Sequence, residues 1–193
     1  MHYLTKRPLA CVYDTETTGL TKHFKSPLSE QPRIIEFGGL LTDGVEIVDT
    51  LEFIVNPGIA IEEVITKITG LTNADLDTKP YFDEYIETIA EFFGRSEIVI
   101  AHNLSFDKAL MKYDLQRMGL ELSDVNWPRV EICTVEQTFQ RFGRRMRLEE
   151  LYRMYCGPYV QKHRAFDDVK LLHEMATKIG VYTALGLETA YVD

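Results

Sequence analysis

Apolar positions along this chain fall into two rhythms, one for strands early on and one for helices later. Residues 8–14 (PLACVYD) are apolar up to a terminal acid and read as a buried strand ending on Asp14. Residues 33–42 (RIIEFGGLLT) and 45–55 (VEIVDTLEFIV) read as two more strands, and Asp43-Gly44 between them is a hairpin signal. Short apolar runs at 97–101 (EIVIA) and 129–133 (RVEIC) complete the strand candidates. A helical period marks 81–93, 104–118, 134–142, 147–156 and 165–179. In the last of these, Ala165, Val169, Leu172, Ala176 and Ile179 form one core-facing stripe. Three early strands, then strands alternating with helices, predict an α/β fold: a mixed sheet covered by helices. Residues 20–32 (LTKHFKSPLSEQP) are polar and contain proline, and read as a long loop of the kind that can be mobile. No repeat, low-complexity stretch or linker divides the chain, so residues 1–193 are expected to form one domain.

Composition adds limits. A chain of 193 residues that is 45% hydrophobic can fill one core. It has no run of 18 apolar residues, and its first residues hold too short an apolar stretch, so neither a membrane span nor a signal peptide is expected. Three widely spaced cysteines, Cys11, Cys133 and Cys156, without a CxxC, fit small core thiols in a reduced, cytoplasmic protein. The net charge of −9 argues against non-specific coating of duplex nucleic acid, which needs a basic face. It does not argue against an enzyme with a locally basic groove.

The candidate chemistry lies in acids. Asp14 and Glu16 (VYDTETTGL), Asp107 (AHNLSFDKAL) and Asp168 (HRAFDD) sit in three short motifs with apolar surroundings. Acids at this density repel one another, and a divalent metal between carboxylates points to phosphoryl-oxygen chemistry. Residues i and i+2 of a strand share a face, so Asp14 and Glu16 can grip one ion. A solvated strand end is the ordinary alternative for one such pair. Asn103 is a candidate N-cap with Asp107 in the first helical turn, where an acid also serves the helix dipole. Phe106, Leu110 and Tyr113 make a stripe that suits a core, and His102 suits a hydrogen-bonded structural role. His163 and Asp168 would point roughly 140° apart on one helix. Serving one site together requires His163 on a loop before it, where an imidazole can take a proton from a metal-bound water. Asp167, His2, His23 and His173 read as surface groups. Arg141, Arg144, Arg145 and Arg147 form a basic cluster that either passes phosphates or caps a solvated helix end.

In this order the motifs VYDTETTGL, RIIEFGGLL, VNPGIAIEEVITKITGLTNADL, AHNLSFDKAL and HRAFDDVKLLHEM resemble the DEDD superfamily of 3′–5′ exonucleases, in its histidine subtype. The chain is similar over nearly its whole length to the proofreading epsilon subunits of bacterial replicative DNA polymerase. The resemblance implies a ribonuclease-H-like mixed five-stranded sheet flanked by helices, and two Mg²⁺ or Mn²⁺ ions. It implies that Asp14, Glu16 and Asp168 ligate the first ion, with Asp14 shared to the second and Asp107 helping through water. His163 is then the general base, and Thr17, Leu20, Asn103 and Phe106 match positions that hold the terminal nucleotide. Two departures stand out. Thr69 replaces the histidine of many epsilon-like members, and the loop after TTGL is longer, offering Lys22, His23 and Lys25 to substrate or a partner.

The expected activity is metal-dependent release of nucleoside 5′-monophosphates from single-stranded 3′ ends, with DNA favoured over RNA, for proofreading or trimming. Two alternatives stay open: an RNA-trimming exoribonuclease on the same fold, and a non-catalytic adaptor. The sequence ends soon after its last helical pattern, so contact with a DNA polymerase is expected to use the domain surface rather than a C-terminal extension.

Overall fold

The computed structural model describes residues 8–159 and 162–187; the surface reading of His2 lies outside them. Strands β1 (Ala10–Thr17), β2 (Ile34–Thr42) and β3 (Ile47–Ile54) come first. Helices α1 (Glu63–Thr69), α2 (Asn73–Asp77) and α3 (Ile86–Gly94) follow. The second half runs β4 (Ile98–Ala101), α4 (Leu104–Arg117), β5 (Val130–Cys133), α5 (Thr134–Phe142), α6 (Leu148–Tyr155), α7 (Ala165–Lys178) and α8 (Val181–Ala184). The five strands form one sheet in the order β3-β2-β1-β4-β5. The two outer pairs at the β3 end are antiparallel, and β1–β4 and β4–β5 are parallel. The predicted mixed five-stranded sheet flanked by helices is the architecture observed.

Strand alternation explains the two cores. Cys11 and Tyr13 of β1 and Phe37 and Leu41 of β2 pack with Ile89 and Phe93 of α3 and Leu110, Met111 and Leu115 of α4. Ala10 and Val12 of β1 and Leu40 of β2 face the other way, against Leu151 of α6 and Val169, Leu172, Met175 and Ala176 of α7. Both faces are therefore sealed near the middle of β1. The Asp43-Gly44 hairpin is present, with the backbone N–H groups of Val45 and Glu46 donating to Asp43 Oδ1 at 2.9 Å each.

Several expectations need correction. Strand β1 does not end at Asp14 but runs to Thr17, because β2 keeps pairing with it through Glu16↔Glu36. The loop at 20–32 is held down rather than loose. Arg117 Nη2 donates to the carbonyls of Leu28, Gln31 and Pro32, and Gln31 ties Lys22 N and the His23 carbonyl. His173 is half-buried, with Nδ1 2.7 Å from the Tyr182 hydroxyl, so it is not a surface group. Among the described residues no helix is long and apolar enough to cross a membrane.

Candidate active site

The row Ala10–Val12 on the α7 side of β1 continues as Asp14 and Glu16. Apolar residues thus turn to acids as the strand leaves the core, and both carboxylates share one face. Directly opposite on β2 lie Gly38, facing Asp14, and Glu36, facing Glu16. Glu36 is a buried acid inside an all-buried strand.

Asp107 reaches β1 from α4. Strand β4 stops at Ala101 and its ladder with β1 ends at Val12↔Ile100, which leaves the next stretch of β1 without a neighbour on that side. The first turn of α4 fills the gap. Asp107 Oδ1 accepts from Thr15 N at 3.2 Å and from Thr15 Oγ1 at 2.8 Å, so a carboxylate takes a strand donor that β4 does not use. Asn103 precedes this helix in the left-handed region (φ 71°), and its side chain makes no capping bond. Its Oδ1 instead accepts from Arg145 Nη2 at 2.6 Å. The N-cap expectation is corrected in that respect.

Asp168 comes from the first turn of α7, where it is buried. The helix can lie this close to the sheet because residue 38 is glycine. A Cβ there would sit 2.5 Å from Phe166 N and 2.6 Å from Ala165 C. His163 precedes α7 on a loop, in the left-handed region (φ 51°). Arg164 then grips Glu36 in a two-toothed pair, with Nε 3.0 Å from both carboxylate oxygens and Nη2 2.6 Å from Oε1.

One ligand atom from each of Glu16, His163 and Asp168 lies within 4.8 Å of the others. Asp14 and Asp107 fall outside that group of three, but their charges act on it. Burial, then Asp107, Glu16, Asp168 and Glu36, push the Asp14 carboxyl well above the usual range. Burial, then Asp168, Glu36 and Asp107, raise Glu16 to about 8, against the opposing pull of Arg164. Asp107 is raised to about 7 by burial, with the Thr15 hydrogen bonds opposing. These acids cannot all be ionised together without a cation among them. Arg164 is already committed to Glu36, and an oxygen-rich set with one imidazole suits divalent metal.

The other expected residues divide. Leu20 is 80% exposed beyond the end of β1, whereas Thr17 is buried and its hydroxyl donates to the Gly19 carbonyl at 2.8 Å. Phe106 is half-buried and packs on the core rather than standing free. Thr69 is buried at the end of α1, donating to the Ile65 carbonyl at 3.0 Å. His102 is structural: its ring nitrogens meet Thr134 Oγ1 at 2.9 Å and the Met146 carbonyl at 3.0 Å, and burial lowers its pKa to about 4. In the arginine cluster, Arg144 pairs with Glu150, Arg145 with Glu136 and Asn103, and Arg141 lies over Phe142 and Tyr155. Asp167 pairs with Lys170 at 2.6 Å and Lys162 at 3.7 Å. Sequence reasoning missed Glu36 and Gly38. The available signal was a charge followed by two glycines inside an otherwise apolar run, RIIEFGGLL.

The family model described as exonuclease, RNase T, matches residues 11–175. The chain belongs to the DEDD superfamily of 3′–5′ exonucleases. It is a hydrolase acting on nucleic acid, in a family that depends on divalent metal. It is 30% identical over 169 residues to the PolC-type DNA polymerase III of Caldanaerobacter subterraneus subsp. tengcongensis, covering 87% of this chain and 11% of that protein. The chain thus spans about a tenth of the length of the curated relatives it matches. Exonuclease X in complex with 5′-overhanging duplex DNA superposes with a TM-score of 0.63 at 23% identity, covering 91% of this chain and 93% of that one. Zinc-bound E. coli exonuclease I in complex with single-stranded DNA gives 0.74 at 16%, covering 93% and 42%. Both likenesses concern the fold.

Proposed function

We propose that this chain removes nucleotides from the 3′ ends of single-stranded DNA as 5′-monophosphates, as a histidine-subtype enzyme. The observation that carries this reading is the meeting of Glu16, His163 and Asp168 within 4.8 Å, beside Asp14 at the end of one strand. Asp14, Glu16, Asp107 and Asp168 would hold two Mg²⁺ or Mn²⁺ ions. Such ions, when bound, supply an activated water and neutralise the leaving 3′-oxygen. His163, on the loop ahead of α7 and within 4.8 Å of Glu16 and Asp168, accepts the proton of the attacking water. The P–O3′ bond breaks opposite the attack, and the shortened strand keeps a 3′-hydroxyl. Leu20, exposed past the strand end, offers an apolar face to the terminal base, and Thr17, Asn103 and Phe106 are assigned to its contacts by the family resemblance.

DNA is favoured over RNA because the relative at 30% identity is named for a DNA polymerase. The same likeness supports a proofreading setting beside a polymerase. The test is timed digestion of matched, 3′-labelled DNA and RNA oligomers with Mg²⁺, with Mn²⁺ and with EDTA. Mononucleotide release from DNA, faster than from RNA and abolished by EDTA, is expected. Faster release from RNA would overturn the substrate assignment, and release in EDTA would overturn the metal.

A further inference from the structure

We infer that Glu36 is a positioning residue of this site: by clamping Arg164 and the Ala165 amide it fixes the turn that carries His163 into the start of α7. The inference rests on the reading of His163 as the base.

Glu36 shares the α7 face of the sheet with Asp14 and Glu16, directly across the strand from Glu16, yet its oxygens are fully engaged. Oε1 accepts from Arg164 Nε and Nη2, and Oε2 accepts from Arg164 Nε at 3.0 Å and from Ala165 N at 3.2 Å. With 4% of its side chain exposed, it is a buried acid already neutralised, and a poor metal ligand as it stands. What it grips matters more. Arg164 is the residue after His163, and Ala165 is the first residue of α7. His163 holds a left-handed backbone without being glycine, a conformation that persists only where neighbours over-determine it. Four hydrogen bonds from the next two residues to one carboxylate supply that constraint. The Lys162–Asp167 pair at 3.7 Å straps the same turn from outside. Gly38, two residues along β2 from Glu36, lets the backbone of 165–166 lie on the strand, so clamp and contact act on the same turn.

The test uses the whole chain with Mn²⁺. Glu36→Gln and Arg164→Ala should lower kcat by about tenfold or more while KM and the Mn²⁺ dissociation constant stay within about twofold. Arg164→Lys keeps the charge but loses the fork and should fall between. The double variant Glu36→Leu/Arg164→Met replaces the pair by apolar side chains and should melt at or above the wild-type temperature, yet turn over slowly. Backbone amides of residues 163–166 should exchange faster in Glu36→Gln. Wild-type turnover in the double variant, or unchanged exchange in Glu36→Gln, would overturn the clamp. So would loss of Mn²⁺ affinity in parallel with kcat, which would make Glu36 part of the metal site. Wild-type kcat in His163→Ala would instead overturn the base assignment alone, because exchange reads the clamp without it.

Discussion

The approach of α7 to the sheet can be tested with one methyl group. Gly38→Ala places a Cβ 2.5 Å from Phe166 N, 2.6 Å from Ala165 C and 2.7 Å from Phe166 Cα. All three are backbone atoms, so no side chain can swing aside. Ordinary contact lies near ~3.5 Å, so the first turn of α7 must retreat by about 1 Å. Asp168 rides on that turn. A displacement of about 1 Å in a reacting constellation costs on the order of 10²-fold in rate. Overpacking of this kind costs about 1–3 kcal/mol of stability, so the fold should survive. Gly39→Ala is the control: its Cβ meets Phe92 Cε1 at 2.8 Å on the α3 side, on the opposite face from the α7 turn that carries Asp168. Both variants would be assayed for nucleotide release from a labelled single strand and for urea stability. Gly38→Ala should lose about two orders of magnitude in kcat, and Gly39→Ala should lose stability with kcat near wild type. Full activity in Gly38→Ala would refute the claim that this glycine sets the depth of Asp168.

Three further outcomes follow from the same geometry. Asp14→Asn and Asp168→Asn should abolish nucleotide release while leaving the metal-free melting temperature unchanged or higher, since each removes a like charge; turnover in either variant would be decisive against the site. The metal-free protein should lose stability as pH rises from about 4.5 to about 8, because folded Glu16 keeps, up to about 8, a proton that the unfolded chain has released. The unfolded state binds fewer protons throughout that window, so the slope is about −1.4 kcal/mol per pH unit per group, with Asp107 contributing up to about 7. Added Mn²⁺ should then raise the melting temperature little at pH 5 and most at pH 8, and a pH-independent rise would contradict this. Arg117→Met should cost about 3–5 kcal/mol in urea titration, by stranding the buried Asp114 and freeing three loop carbonyls, and it should open residues 20–32 to proteolysis.

Strand and helix rhythm predicted all five strands and the main helices, because those elements bury one face and leave the other to a second core. Reading failed where pattern and burial part company. Strand β1 looked finished at Asp14 because its next inward-facing residue, Glu16, is an acid facing other acids, although its pairing with β2 continues. Helix α1 exposes Val64 and Ile68 and shows no clean stripe, and α2 spans only Asn73–Asp77. The Thr72–Asp75 capping box was nonetheless a readable start signal. Asn103 was placed correctly before α4, but its conformation and its bond to Arg145 depend on a segment 42 residues away. Glu36 was hidden for the same reason: a charge in a strand reads as solvent-facing until its partner, 128 residues later, is in view.

The arrangement also says why the acids cluster at this end of β1. Strand β4 stops short, so β1 runs on with one edge free, and a helix N-terminus can deliver a carboxylate to that edge while a second helix delivers another to its face. A longer β4 would pair Thr15 N and leave Asp107 only the Thr15 hydroxyl. A side chain at residue 38 would hold α7 away. The repulsion built up there falls on the last residues of one strand, past Val12 and Tyr13, where both cores have already closed. On the proposed reading, packing and chemistry should therefore separate along eight residues of strand: substitutions at Ala10–Tyr13 should act on folding, and substitutions at Asp14–Glu16 on turnover and on metal-linked stability.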